Sequence, residues 1–204
     1  MTIINVYLRL KSDERAETMK VSKEQVRENH QRIVETASVL FRERGYDGVG
    51  VAELMSAAGL THGGFYKHFA SKADLMAEAM SCGFARSAER LQGLKREDFV
   101  QYYLSRQHRD GMGAGCVMSA LGTDSARQTD AIKAQFATGV EHQLAQLLGE
   151  KGTDENARAE IIATIAQLVG ALVLSRACPD DSPLADEILA ACRSRLSAQA
   201  ADTV

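Results

Sequence analysis

The sequence has no tryptophan and only two prolines, so nothing in its composition interrupts long helices. It has no CxxC pair and no histidine at zinc-finger spacing. Its four cysteines, Cys82, Cys116, Cys178 and Cys192, are scattered, which excludes a disulfide scaffold or a finger and reads as reduced thiols in a cytoplasm. No metal or cofactor is implied. The start, "MTIINVYLRLKSDER", has too short an apolar run and no small-residue cleavage site for a secretory signal. The most apolar segment, "IIATIAQLVGALVL" at 161–174, is shorter than a spanning helix and is interrupted by Thr164 and Gln167, so no membrane partner is expected. Excess positive charge is also missing. The formal net charge of −3 argues against a protein that coats nucleic acid. Residues 19–80 carry 8 basic and 8 acidic side chains and residues 81–204 carry 13 and 16, so any DNA contact must come from local placement of charge.

Helical periodicity fills the rest of the chain, with no repeats and no strand-like alternation. Ser22-x-x-Gln25 is a capping box, opening a helix with Ile33, Val34, Ala37, Leu40 and Phe41 on one face and Gly45 as its C-cap. A short helix follows with Val51, Leu54, Met55 and Ala58 inward, stopping at Gly59. Thr61 is placed to cap a third short helix in which Phe65 and Phe69 share a face. Ser71 and Asp74 start a longer helix that runs to about Leu91. Further on come a helix in "REDFVQYYLSRQ", a flexible "DGMGAG", and a short helix or turn in "CVMSALG". A long helix then carries Ile132, Phe136, Gly139, Val140, Leu144 and Leu147 on one face. "EKGTDE" breaks it, and Thr153 starts a helix reaching about Ala177, where Cys178-Pro179 ends it. Ser182-Pro183 opens the last helix, which runs to about Ala198.

The stretch "AAGLTHGGFYKHFASK" combines glycines, aromatics, histidines and lysines between two breaks. The second and third helices around Gly59 form a helix-turn-helix, whose second helix enters the major groove. Phe65 and Phe69 anchor it in the core. Tyr66, Lys67 and His68 fall on the other side, where hydroxyl, ammonium and imidazole reach phosphate oxygens. Thr61, His62 and Gly63 occupy the helix N-terminus, the end that approaches base edges, and a glycine there lets backbone N–H groups come close. Lys72 adds a positive charge at the start of the next helix.

From Ser22 to about Met80 the chain resembles the DNA-binding domain of the TetR/AcrR family of bacterial repressors. The pattern A-G-[LV]-[ST]-x-G-x-[FL]-Y-x-[HY]-F-x-[SN]-K-x-x-L is met at each fixed position from Ala58 to Leu75. The resemblance implies phosphate contacts by Tyr66, His68 and Lys72, and base contacts by His62 and Gly63. Two positions depart from it. Val49-Gly50 stands where the family has Ser or Thr just before the second helix, and Met55 replaces a commoner alanine, implying bulkier packing between the first two helices.

The implied architecture is all-α. Residues 1–21 are an extension, expected to be disordered, with residues 1–18 outside the family pattern. Residues 22–80 form a three-helix DNA-binding domain, and 81–204 a larger helical domain for effector binding and dimerisation. The helix at 154–177 is apolar around more of its circumference than one core requires. Its Ile161, Ile165, Leu168, Val169 and Leu172, with Ile188 and Leu189 of the last helix, are candidates for a four-helix interface across a two-fold axis, where Ala163, Ala166, Gly170 and Ala171 permit close approach. Phe84, Tyr102, Tyr103, His108, Met118 and Phe136 are candidates for an effector pocket, each with core packing as the alternative. Cys116 follows a glycine-rich loop near a helix N-terminus that lowers a thiol pKa. A Gly-Cys here also resembles a subgroup that senses electrophiles or oxidants; the alternative is a small buried residue. The expected function is a homodimeric regulator, a repressor of a palindromic operator released by a small-molecule or electrophile effector, and not an enzyme. The alternatives are a helical enzyme pairing Cys116 with His108, and an architectural DNA-binding protein without ligand.

Overall fold

The computed structural model describes residues 23–149 and 154–201. Nine α-helices lie among them: α1 (Lys23–Arg44), α2 (Val51–Ala57), α3 (Lys72–Leu91), α4 (Arg96–Tyr103), α5 (Arg106–Asp110), α6 (Val117–Ser125), α7 (Asp130–Leu148), α8 (Glu155–Ala177) and α9 (Pro183–Ala201). Two 3-10 helices, His62–Lys67 and Met112–Ala114, complete the described order, and no strand occurs among the described residues.

Local chemistry sets the helix ends. Gly45 follows α1 at φ +74°, a conformation that L side chains avoid, and its N–H reaches the Phe41 carbonyl at 2.8 Å. Ser71 Oγ accepts from the Asp74 N–H at 3.2 Å, as the sequence motif requires. At the start of α8, Asp154 Oδ1 accepts from the N–H groups of Asn156 and Ala157, with its negative charge at the positive end of the helix dipole. Thr153 and the Ser22 cap lie outside the described residues, as does the expected extension.

Packing is built on α1. Its Ile33, Val34, Ala37 and Phe41 are buried, and α1 lies along α3. Each large apolar side chain so enclosed contributes about 1.5–3 kcal/mol. Because α3 continues to Leu91, the expected division at residues 80/81 falls inside a helix shared by both parts of the chain. α7 lies on α3, and α8 pairs with α9.

Several sequence expectations are corrected. In α7, Leu148 is buried while Leu147 is 39% exposed, because Leu148, four residues after buried Leu144, is the one that falls on the inward stripe. The "DGMGAG" segment is no flexible link. Its Gly113 is buried, and the Arg42 side chain of α1 donates to the Gly113 carbonyl. Of the interface candidates, Leu168, Leu172 and Leu189 are 0–3% exposed and belong to the protomer's own core, so they have no surface to offer a partner. Ala171 is buried with them. Ile161, Ile165, Val169 and Ile188 remain half-buried.

α7 packs on α3 at Gly139, where an added Cβ would lie 2.3 Å from the Phe84 ring. Gly139→Ala should therefore destabilise the protein by about 1–3 kcal/mol through overpacking, measured by urea unfolding. An unchanged midpoint would show that Phe84 can turn away freely.

Candidate nucleic-acid interface and candidate effector pocket

The turn after α2 is closed by two hydrogen bonds, Gly59 N–H to the Ser56 carbonyl (2.9 Å) and Leu60 N–H to the Met55 carbonyl (2.8 Å). With Gly59 at φ +70° this is a Schellman closure, and it sets the angle between α2 and the following element. That element, His62–Lys67, is a 3-10 helix wound more tightly than an α-helix. Thr61 precedes it but makes no side-chain cap bond, so the expected capping role is corrected and its hydroxyl is unused. Phe65 and Phe69 are buried, their ring centroids 5.5 Å apart, and His30 of α1 stacks on Phe69 at 4.5 Å. Met55 is also buried. Its Cε lies 3.6 Å from the position of a Cβ on Gly64, so its bulk fills the space under the recognition element.

With the aromatic pair facing inward, Thr61, His62, Gly63, Tyr66 and Lys67 are exposed, Tyr66 to 72%. A Cβ on Gly63 would meet nothing within 4 Å, and its φ is not positive, so neither packing nor backbone geometry within the chain accounts for the glycine. His68 departs from the open face. It is half-buried near His30, its Nδ1 is enclosed without a partner, and burial, with the charges of His30 and Lys67, pushes its pKa down. It therefore presents a neutral imidazole at neutral pH. Lys72 is half-buried; its Nζ donates to the Tyr46 carbonyl at 2.6 Å and lies 5.9 Å from the Phe41 ring centroid. Gly50 starts α2 with no side-chain cap, and a Cβ there would meet nothing, so the missing hydroxyl is not a steric necessity.

The second half of the chain brings together four of the sequence candidates. Tyr102, Tyr103, His108 and Cys116 line one cavity of about 30 Å³ with Ser87, Arg90, Phe99, Ala114, Gly115 and Gln143. Phe84 lines a different cavity, of about 290 Å³ between α3 and α7, which shares Gln143 with the first. Phe136 packs edge-on against Phe84 at 5.9 Å. Met118 is corrected to the core beside Val117 and Leu121. Two polar atoms are buried without partners at the smaller cavity, the Tyr103 hydroxyl and Gln143 Oε1. The Tyr103 hydroxyl faces Cys116 and Ser119 without closing a hydrogen bond to either, and burial raises its pKa well above the ordinary value.

Cys116 is the residue before α6, as expected, and is buried. His108 does not serve it as a base. Its Nε2 accepts from the Cys116 backbone N–H at 3.2 Å, which leaves Nδ1 to donate to the Tyr103 carbonyl at 2.8 Å. Both ring nitrogens are thus committed to the backbone. Burial lowers the His108 pKa; the Tyr103 bond opposes this, and the charges of Arg176 and Arg90 reinforce it.

Sequence reasoning missed the residues that tie this pocket to the helix-turn-helix. Arg42 Nε donates to the Gly113 carbonyl at 2.9 Å and its Nη1 to Ser38 Oγ at 2.9 Å. The Tyr46 N–H donates to Asp124 Oδ2 at 3.2 Å. Tyr46 is buried, and its hydroxyl is pushed up to about 12, chiefly by burial. An arginine within a helix otherwise patterned as amphipathic was the one visible signal.

The fold and exposed face define a helix-turn-helix protein with an all-helical second part. Residues 33–79 match the model of the family described as bacterial regulatory proteins, tetR family. That match covers the helix-turn-helix part of the chain. It is similar to the HTH-type transcriptional regulator AcrR of Shigella flexneri, 37% identical over 57 residues covering 28% of this chain and 26% of that protein. It is also similar to the transcriptional regulator AcuR of Cereibacter sphaeroides, 30% identical over 115 residues covering 52% of each. The chain thus spans about a quarter to about half of the length of these curated relatives. A TetR transcriptional regulator from Chloroflexus aurantiacus shares the fold, with a TM-score of 0.68 and 22% identity over 86% of this chain and 95% of that one.

A pH dependence follows from His108. Its folded pKa is depressed below an unfolded value of about 6.5, so the unfolded chain binds the extra proton first. The stability it contributes is complete above pH 6.5 and is lost as pH falls toward the folded value. Urea unfolding at pH 7.5 and 5.5 should show this decline, with a smaller one in His108→Gln; equal declines would contradict it.

Proposed function

We propose that the chain is a ligand-responsive transcriptional regulator, a homodimer that represses from a palindromic operator and is released by a small-molecule effector. The observation that carries this is a continuous physical link. An exposed Thr61–Lys67 face stands on a fixed aromatic pair; beside it Arg42 of α1 is bonded to Gly113, next to Ala114 of the pocket lining, and Tyr46, just after α1, is bonded to Asp124 near the end of α6. From Cys116, the residue before α6 and on the pocket, to Asp124 at Tyr46 is roughly 12 Å of helix at 1.5 Å per residue. A ligand that moves the Cys116 end moves the Asp124 end with it. The effector acts only through its preference for a geometry that fits DNA poorly. DNA contacts are assigned to Thr61, His62, Gly63, Tyr66 and Lys67, with His68 and Lys72 donating to phosphates from the flank.

Dimerisation rests on α8 and α9. α8 is 23 residues long with a mean hydropathy of 1.6, long and apolar enough by composition to cross a membrane, and little of it is buried within the protomer. Its ends are held by protein, Arg158 on Glu141 and Arg176 on the backbone of α5, so the exposed face is assigned to a second copy. Ala163, Ala166, Gly170 and Leu174 follow along that face. A Cβ on Gly170 would meet nothing within the chain, although a mid-helix glycine costs about 1 kcal/mol relative to alanine. Close approach of a partner helix accounts for it. Ile162 (45% exposed), Leu174 (60%) and Leu184 (52%) replace the buried leucines as interface candidates.

Binding of the purified protein to its own upstream DNA tests the reading. Specific retardation is expected, well above binding to unrelated DNA, whereas an architectural protein would show little preference. Gly63→Ala should weaken that binding about tenfold with an unchanged unfolding midpoint, since only DNA occupies the space beside it. Gly170→Arg should yield monomers that no longer bind. Absence of specific retardation in the unaltered protein would overturn the proposal.

A thiol-sensing version is favoured by one observation, that Cys116 lines the cavity. Cys116→Ala should then keep operator binding and lose the response to electrophiles. A variant that still responds would leave Cys116 with a packing role.

A further inference from the structure

Three arginines converge on the loop that walls the smaller cavity. Arg42 donates to the Gly113 carbonyl, Arg90 to the Ala114 carbonyl, and Arg176 to the carbonyls of Arg109 (2.8 Å) and His108 (3.0 Å) and to Ser119 Oγ (3.1 Å). Among the described residues, none of the three has a carboxylate within 4.0 Å. Of the nearby acids, Asp110 pairs with Arg109 at 2.6 Å, and Glu43 is an exposed side chain beside Gly113. Arg42 is buried and Arg176 half-buried, so their charges are weakly screened. His108, in the middle of the group, is bonded as a neutral ring and adds no charge.

Cations held only by neutral acceptors around a cavity leave it electropositive. Tyr103, which lines the cavity and is 6% exposed, has a buried hydroxyl without a partner. Arg90 stands exposed at the mouth, with N–H groups beyond the one given to Ala114. Phe99 and Tyr102 add aromatic walls. The enclosed space of about 30 Å³ admits only a few heavy atoms, since an apolar cavity that takes benzene is on the order of 150 Å³.

We infer that this cavity binds a small organic carboxylate, its head between the Arg90 guanidinium and the Tyr103 hydroxyl and its short hydrocarbon part against Phe99 and Tyr102. Bare inorganic anions would satisfy the charge but leave the aromatic walls uncovered. A neutral isostere would fill the walls but leave the arginines uncompensated. The assignment names the chemistry of the effector site proposed above and rests on that reading.

The test is calorimetric titration of the full chain at constant ionic strength with sodium acetate and propionate, with acetamide and propionamide, and with chloride and phosphate. Carboxylates should bind at least tenfold more tightly than their amides and than either inorganic ion. Arg90→Gln should weaken carboxylate binding about tenfold or more while its unfolding midpoint is unchanged, and Arg90→Lys should restore part of the affinity. Equal binding of amide and carboxylate, equal binding of phosphate or chloride, or indifference to Arg90→Gln would overturn the inference. Operator retardation measured alongside separates the two claims. Carboxylates that bind through Arg90 without releasing operator would leave this site standing and remove its effector role. Release by a neutral compound alone would preserve the effector reading and sink the carboxylate assignment.

Discussion

The structure depends on a buried cation, Arg42, that α1 inserts between the two parts of the chain. Only 4% of it is exposed, and its donors go to one backbone carbonyl and one hydroxyl, with no carboxylate among the described residues to repay the loss of water. Burial lowers its pKa for that reason. A buried charge without an ionic partner tolerates few arrangements, because any movement that breaks its hydrogen bonds leaves it unsolvated. Its space is kept by glycine: a Cβ on Gly83 would lie 2.4 Å from Arg42 Nη1, and one on Gly113 2.4 Å from Glu43 Oε1. Helix α1 and the Met112–Ala114 turn therefore hold one fixed relation.

Other features follow from that relation. The Gly113 turn leads directly into Gly115 and Cys116, so the cavity wall is positioned from the DNA-binding side of the molecule. The far end of α6 is bonded through Asp124 to Tyr46, just after α1, and Tyr46 in turn accepts from Lys72 at the start of α3. α1, the pocket loop, α6 and the start of α3 are thus linked by hydrogen bonds. His108 is spent on bracing two backbone segments, which removes it as a partner for the thiol.

Local signals were legible in the sequence. Gly45, Gly59 and Ser71 end or start helices through their own backbone or side-chain chemistry, and Phe65 and Phe69 are read inward by spacing alone. Signals that depend on distant packing were not. Leu168, Leu172 and Leu189 look like interface residues because an apolar helix has no visible inside in sequence, and only the tertiary structure shows which leucines the protomer covers. The "DGMGAG" loop reads as flexible because glycines serve mobility and close packing equally, and the arginine that needs Gly113 lies 71 residues away. The arginines around the cavity are equally invisible, being spread from α1 to α8.

The most direct measurement is operator affinity as a function of salt for Arg42→Lys in the full chain. Lysine keeps the charge but cannot reach Gly113 and Ser38 together. If the clasp orients the DNA-binding unit, affinity should fall about tenfold while the slope of log K against log salt stays the same, because a buried Arg42 touches no phosphate. An unchanged affinity, or a slope reduced by about one, would contradict the account.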